Sequence, residues 1–126
     1  MTKIVATNAF CRWMKRTGIR DAELLGAVTE MSAGLVDANL GGDVYKKRIG
    51  VPGRGKRGGA RTIVATRKGH RWIFLFGFEK NERANIRPTE LEALQKLAKT
   101  LLDLDDRNLA HALTTGQLKE IEDERE

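Results

Sequence analysis

Cysteine is nearly missing from this chain of 126 residues: Cys11 stands alone, so no disulfide can form within it. Histidine is scarce as well (His70 and His111), and no cluster of Cys and His has the spacing of a metal site. No apolar run approaches the ~20 residues of a membrane span. The opening Met1-Thr-Lys-Ile-Val-Ala-Thr-Asn lacks the long apolar stretch of a secretory signal. Together these absences predict a soluble cytoplasmic protein that needs neither metal nor other cofactor and has no membrane partner. At 14.1 kDa it has material for one core, so a single domain over residues 1–126 is expected.

The most informative absence is local. Between Lys46 and Arg71 there is no Asp or Glu, while ten of the 26 residues are Lys or Arg. Uncompensated like charge repels itself in the folded state, so a polyanion that relieves the repulsion is the simplest partner, and a nucleic acid backbone fits. The middle of this window, Gly50-Val-Pro-Gly-Arg-Gly-Lys-Arg-Gly-Gly59, holds five glycines and a proline and reads as a loop whose backbone could approach a ligand closely. Charge is also polarised along the chain. Residues 1–88 carry 18 Lys and Arg against 7 Asp and Glu, and residues 89–126 carry 5 against 10, which gives +11 and −5 and the total of +6.

The elements read in three blocks, for an α+β fold. Thr7 or Asn8 caps a short helix with Phe10, Trp13 and Met14 on one face, ended by Gly18. Asp21 caps a second helix with Leu24, Leu25, Val28, Met31 and Leu35 as its core-facing stripe. After Gly41-Gly42 come three strand-like segments, Val44 to Ile49, Ala60 to Thr66 and Arg71 to Phe78. The last two are joined by Arg67-Lys68-Gly69-His70 as an antiparallel hairpin. In the third of these, Trp72, Phe74, Phe76 and Phe78 alternate with Ile73, Leu75 and Gly77, which predicts an aromatic face, an aliphatic face and a central place in the sheet. Pro88-Thr89-Glu90-Leu91-Glu92 looks like a capping box between Thr89 and Glu92. It opens a helix with Leu91, Leu94, Leu97, Ala98, Leu101 and Leu102 along one stripe. A shorter helix from Asp105 to Leu113, a terminal strand within Gly116 to Ile121 and a mobile acidic tail over 122–126 complete the expectation. The whole is then a helix pair, a twisted antiparallel sheet of three to four strands, and C-terminal helices packed on that sheet.

These residues carry a resemblance. Two helices, then Gly-Gly-x-Val-Tyr-Lys-Lys-Arg, the basic string Gly53-Arg-Gly-Lys-Arg-Gly-Gly-Ala-Arg61, an aromatic strand running into Phe78-Glu-Lys-Asn-Glu-Arg83, and a Leu-rich helix are similar to the RelE/ParE superfamily of toxins from type II toxin-antitoxin systems. The likeness spans roughly Phe10 to Leu102 and is nearest to the RelE-like branch found beside helix-turn-helix antitoxins. It implies a small α/β fold, cleavage of messenger RNA on the ribosome, and a cognate antitoxin that silences the toxin.

RNA cleavage without a metal needs a base for the 2′-hydroxyl proton, cations for the charge on the pentacoordinate phosphate, and an acid for the 5′-oxygen. On the strand from Val44, period 2 puts Lys46 and Arg48 on one face, where the resemblance places the family's strand lysines. Crowding among cations lowers a lysine's pKa, which makes Lys46 the candidate base. By resemblance, Arg61 takes the position of the phosphate-binding arginine, and a planar guanidinium suits a phosphate clamp. Some members have arginine where this chain has Asn81, leaving Lys80 and Arg83 as the nearby cations. Lys46, Arg48, Arg61 and Lys80 are thus the catalytic candidates, with Lys47, Arg54, Lys56, Arg57, Asn81 and Arg83 as nucleic-acid contacts. His70, His111 and Tyr45 are assigned to surface and packing, and Trp13 and Trp72 to the core.

One departure keeps a second function class open. RelE-type nucleases commonly have Tyr or His in the last strand, and Gln117-Leu-Lys-Glu-Ile-Glu122 has neither, so the general acid is unassigned. A ribosome-dependent endoribonuclease is one reading. A non-catalytic binder, either of the gyrase-poisoning type or a degenerate relative that holds RNA and antitoxin without cutting, is the other.

Overall fold

The computed structural model describes residues 2–53 and 55–122, with the backbone alone for 55–58. The order of elements is β1 (Lys3–Thr7), α1 (Asn8–Thr17), α2 (Asp21–Ser32), β2 (Ala38–Gly41), β3 (Val44–Val51), β4 (Gly55–Thr66), β5 (Arg71–Glu79), α3 (Pro88–Leu102), α4 (Asp106–Thr114) and β6 (Leu118–Glu120). The strands form one sheet in the order β2-β3-β4-β5-β1-β6. Every neighbouring pair is antiparallel except β1 with β5, which run parallel from Lys3↔Arg71 to Ala6↔Phe74. The α+β class is as expected, and the sheet is larger: six strands and mixed, against three to four and antiparallel. Both strands absent from the sequence reading are short segments. β2 is Ala-Asn-Leu-Gly, poor in β-branched residues, and β1 has five residues that run directly into a helix.

Helices cover both faces. Phe10, Trp13 and Met14 of α1 and Leu24, Val28 and Met31 of α2 pack with Ala6, Ala60, Val64, Trp72 and Phe74 as one core. The Phe10 and Phe74 rings lie 5.2 Å apart and both are fully buried, each worth about 1.5–3 kcal/mol of burial. On the other face Ala98 and Leu102 of α3 and Leu109 and Ala112 of α4 pack with Val5, Val44, Ile63, Ala65, Ile73 and Leu75.

The caps follow local chemistry, with three shifts from expectation. Thr7 accepts from the Phe10 N–H (3.2 Å), and Gly18 closes α1 in the left-handed region at φ 79°. The N-cap of α2 is Arg20 rather than Asp21, since Glu23 reaches back to the Arg20 N–H at 2.9 Å. That of α3 is Arg87: Glu90 accepts from its N–H at 2.7 Å, replacing the expected Thr89–Glu92 pair because Pro88 fits the first helical position, where no N–H is needed. α2 stops at Ser32 and Gly34 turns the chain at φ 93°, so Leu35 leaves the stripe and stands 59% exposed.

Two irregularities of register matter for the site. β4 and β5 pair as Ile63↔Phe76 and then Val64↔Phe74, so Leu75 is an extra residue on β5. A bulge reverses the parity of a strand. Trp72 and Phe74 therefore belong to the α1/α2 core, whereas Phe76 and Phe78 belong to the α3/α4 core, and the single aromatic face expected from alternation does not exist. The glycine-rich segment also differs from the expected loop. β3 extends to Val51 and β4 begins at Gly55, with Val51↔Gly55 paired and Gly53 in the turn at φ 85°. Between that pair and Ile49↔Ala60 the register breaks, which a run rich in glycine tolerates. Arg54, the side chains of Lys56 and Arg57, and residues 123–126 of the acidic tail lie outside the described residues.

Candidate nucleic-acid interface

β3 alternates strictly. Val44 belongs to the α3/α4 core, whereas Ile49 and Val51 belong to the α1/α2 core, so Lys46 and Arg48 share the face that α3 covers only in part. The register then aligns two cross-strand rows on that face. Lys46 pairs with Ile63 and Ile63 with Phe76; Arg48 pairs with Arg61 and Arg61 with Phe78. Directly opposed residues have Cβ atoms about 4.5–5.5 Å apart, so Arg48 and Arg61 are close enough to grip one anion together.

The cations of these rows differ in how they are held. Arg61 is half-buried, and its Nη1 is buried with no hydrogen-bond partner among the described residues. A charged donor left bare in this way is costly unless a ligand oxygen meets it. Arg48 is tethered by Asp37, whose Oδ2 accepts from the Arg48 backbone N–H at 2.5 Å and whose Oδ1 stands 3.9 Å from its Nε. Its side chain remains 45% exposed. Lys46 is half-buried beside Ile63, and among the described residues it has no hydrogen-bond or ion-pair partner. Lys80 and Asn81 are exposed in the turn after β5.

Other cations of the basic window are committed to the fold. Lys47 lies on the opposite face, 7% exposed, with its Nζ 2.7 Å from Glu30 of α2. Arg71 donates from Nη1 to the carbonyls of Leu101 (2.9 Å), Leu102 (3.3 Å) and Leu104 (2.7 Å), closing the C-terminus of α3. Arg67 bridges Asp43 (3.2 Å) and Asp103 (2.8 Å). Lys68 sits 5.2 Å from the centre of the Tyr45 ring. Arg83 forms a two-pronged pair with Glu90 and lies over Phe76 and Phe78, 5.8 and 5.7 Å from their centroids. That pair, helped by the Arg87 N–H, pulls the Glu90 carboxyl down to about 2. Positive-charge counting had no means of separating these residues from the free ones. The one usable signal was the surplus of acid after residue 89, since Glu90 and Asp103 are the partners.

Acid–base groups other than Lys are absent from the rows. Tyr45 is buried on the opposite face. His70 is exposed in the β4–β5 turn and His111 is exposed on α4. α4 packs against β6, at the edge of the sheet beyond β1, so the last strand is three places from β4. Among the described residues no three His, Cys, Asp or Glu side chains gather as a cation site, and no helix is long and apolar enough to cross a membrane.

No curated protein sequence matches the chain. A protein-family model described as the RelE toxin of the RelE / RelB toxin-antitoxin system matches residues 2–121, which span every element of the fold including β1 and β6. With nearly its whole length matched, and with paired arginines on an open sheet face, the chain belongs to the RelE toxin family, as the toxin side of a toxin-antitoxin pair.

Proposed function

We propose that the protein is a ribosome-dependent mRNA endoribonuclease that works without a metal in the cytoplasm and is held inactive by an antitoxin of helix-turn-helix type. The observation that carries this reading is the opposed pair Arg48 and Arg61 beside Lys46 on one sheet face, with Arg61 Nη1 unsatisfied among the described residues. In the reaction the 2′-oxygen attacks the adjacent phosphorus and the bond to the 5′-oxygen breaks. Lys46 takes the 2′ proton, and Arg61 and Arg48 hold the charge that grows on the equatorial oxygens. The proton for the 5′-oxygen is assigned to the exposed ammonium of Lys80 in the turn after β5, with Asn81 beside it in sequence as an uncharged contact to base or phosphate. Lys47 and Arg83 serve by holding β3 and the β5 turn in place, and Arg54, Lys56 and Arg57 of the basic string are assigned to contact RNA by their charge alone.

The test is cleavage of mRNA on purified ribosomes. Arg61→Lys keeps the charge and loses the two-pronged donor, so cleavage should fall by about 10²-fold or more while binding of the ribosome persists. Undiminished cleavage by this variant would remove Arg61 from the site. The lack of Tyr or His in the rows favours the second reading, a non-catalytic binder. Ribosomes that stall on intact message, seen by toeprinting, would establish it.

A further inference from the structure

Over much of the described surface, cations are answered by acids of the fold: Lys3 by Glu120, Arg20 by Glu23, Lys96 by Glu92 and Lys99 by Asp103. The outer face of α1 is different. The helix contains no Asp or Glu, and Arg12, Lys15 and Arg16 stand exposed on the side turned away from the buried Phe10, Trp13 and Met14. None of the three has a hydrogen-bond or ion-pair partner among the described residues. The negative end of the helix dipole accounts for Lys15 and Arg16, which lie in the last turn. It does not account for Arg12, which meets Arg16 at i, i+4 as a like-charge pair that weakens the helix. A fourth cation joins from a strand. Lys119 of β6 is directly opposite Ala6, which packs in the α1/α2 core, so its exposed side chain rises on the same side of the sheet as α1. Burial raises the Cys11 thiol, and Lys119 leads Asp21 and Lys15 among the charges that act on it, which puts Lys119 beside the helix. Asp21 on one flank and Glu82 on the other are the acids at the margins, and neither forms an ion pair with the four cations.

We propose that this face, made by Arg12, Lys15, Arg16 and Lys119, is a second nucleic-acid surface, which takes the phosphate backbone of double-helical RNA. The inference rests on the ribosome-dependent reading above, since folded RNA is what a ribosome offers while the arginine row is taken by the message. α1 packs on the sheet face of Ala60 and Val64, whereas Arg61 alternates to the other face. The two surfaces therefore look in opposite directions, and a molecule carrying both can sit between message and ribosome. What the face lacks identifies its partner. A protein partner would need apolar anchors at the centre of its footprint. Among the described residues the exposed large apolar side chains are Leu35 and Leu97, and neither is on α1. A single strand would need flat side chains for its bases, and both aromatic residues of α1, Phe10 and Trp13, are buried. Cations alone suit a duplex, whose bases are stacked inside and whose strands are met through phosphates and shape.

Anisotropy of a labelled RNA duplex of about 16 base pairs tests this on the full chain. Arg12→Ala with Lys15→Ala and Arg16→Ala should weaken duplex binding about tenfold or more at moderate salt and flatten its salt slope by about 2 to 3. Arg12→Lys with Arg16→Lys keeps the charge and should bind as wild type does. Lys96→Ala with Lys99→Ala and Arg107→Ala removes as much charge from α3 and α4 and should cost far less. Lys119→Ala leaves α1 intact and should still lower duplex affinity, which keeps the test valid if the triple α1 variant folds poorly. A 2′-O-methyl RNA hexamer, held by the arginine row and safe from cutting because its 2′-oxygen is blocked, should lose no more than about threefold in the α1 variant, since exposed charges are screened beyond ~10 Å. Co-sedimentation with purified ribosomes should follow the duplex: reduced by the α1 variant, kept by Arg61→Lys. Duplex binding by the α1 variant equal to that of wild type overturns the proposal, as do equal losses in the two triple variants. A poly-glutamate peptide bound at this face more tightly than the duplex would make it a dock for an acidic protein and overturn it too. If duplex binding depends on α1 while wild type does not sediment with ribosomes, the face stands and the ribosome reading fails.

Discussion

At the scale of single residues, the fold is most sensitive where a side chain has no room to exist. Gly77 is such a place: with the Trp13 ring 2.4 Å from a would-be Cβ, Gly77→Ala must push α1 off the sheet. Overpacking of this kind typically costs about 1–3 kcal/mol, and urea unfolding followed by Trp fluorescence should register that loss. Glu90 has a different sensitivity, to pH. Its carboxyl is lowered from an ordinary value of 4.5 to about 2, first by Arg83 and then by the Arg87 N–H. A depressed carboxyl stabilises the fold fully above its unfolded pKa and loses that contribution as pH falls through the folded one. The Arg83–Glu90 contribution is therefore complete above about pH 4.5 and gone below about pH 2. Glu90→Gln should be less stable than wild type at pH 7, with the gap closing across that window. A gap independent of pH would mean that the pair adds nothing through charge.

At the scale of elements, β3 puts neighbouring lysines to opposite uses, because side chains alternate across a sheet. Lys46 faces the arginine row, whereas Lys47 is clamped to Glu30 at 2.7 Å and joins α2 to the strand. Lys46→Met should abolish cleavage and weaken RNA binding. Lys47→Met should leave RNA affinity within about twofold, its charge being already paired, and lower stability instead by an amount thermal unfolding can measure. Equal losses of RNA affinity would contradict the assignment of faces. The alternation that separates these two lysines was readable in the sequence, and so were the α1 cap, the β4–β5 hairpin and most of the α3 stripe. The aromatic strand was not: alternation put Phe76 and Phe78 with Trp72 and Phe74, and the extra residue at Leu75 moved them to the other core. Which residue bulges depends on the partner strand, and one strand read alone holds no record of it.

At the scale of the whole molecule, the linear polarity of charge is partly undone by folding. The acidic end of the chain returns to the basic window, where Asp103 meets Arg67 and Asp106 comes within 3.6 Å of Arg71, and just beyond the window Glu90 meets Arg83. Fewer cations than the sequence count are therefore available to a polyanion. Each phosphate neutralised on a single strand contributes about −0.7 to the salt slope of binding, so replacing Lys46, Arg48 and Arg61 together should reduce that slope by about 2. Arg67→Ala should leave it nearly unchanged and destabilise the fold. A slope that responds equally to both would mean that the tied cations bind RNA as well. The sequence by itself determined the kinds of elements, the family and the pool of candidate cations, because helix periods, caps, turns and charge are local properties of the chain. Tertiary structure alone decided which arginines remain free, which face each aromatic takes and that β1 completes the sheet beside β5. Those outcomes rest on register and on partners up to dozens of residues away, such as Arg67 with Asp103.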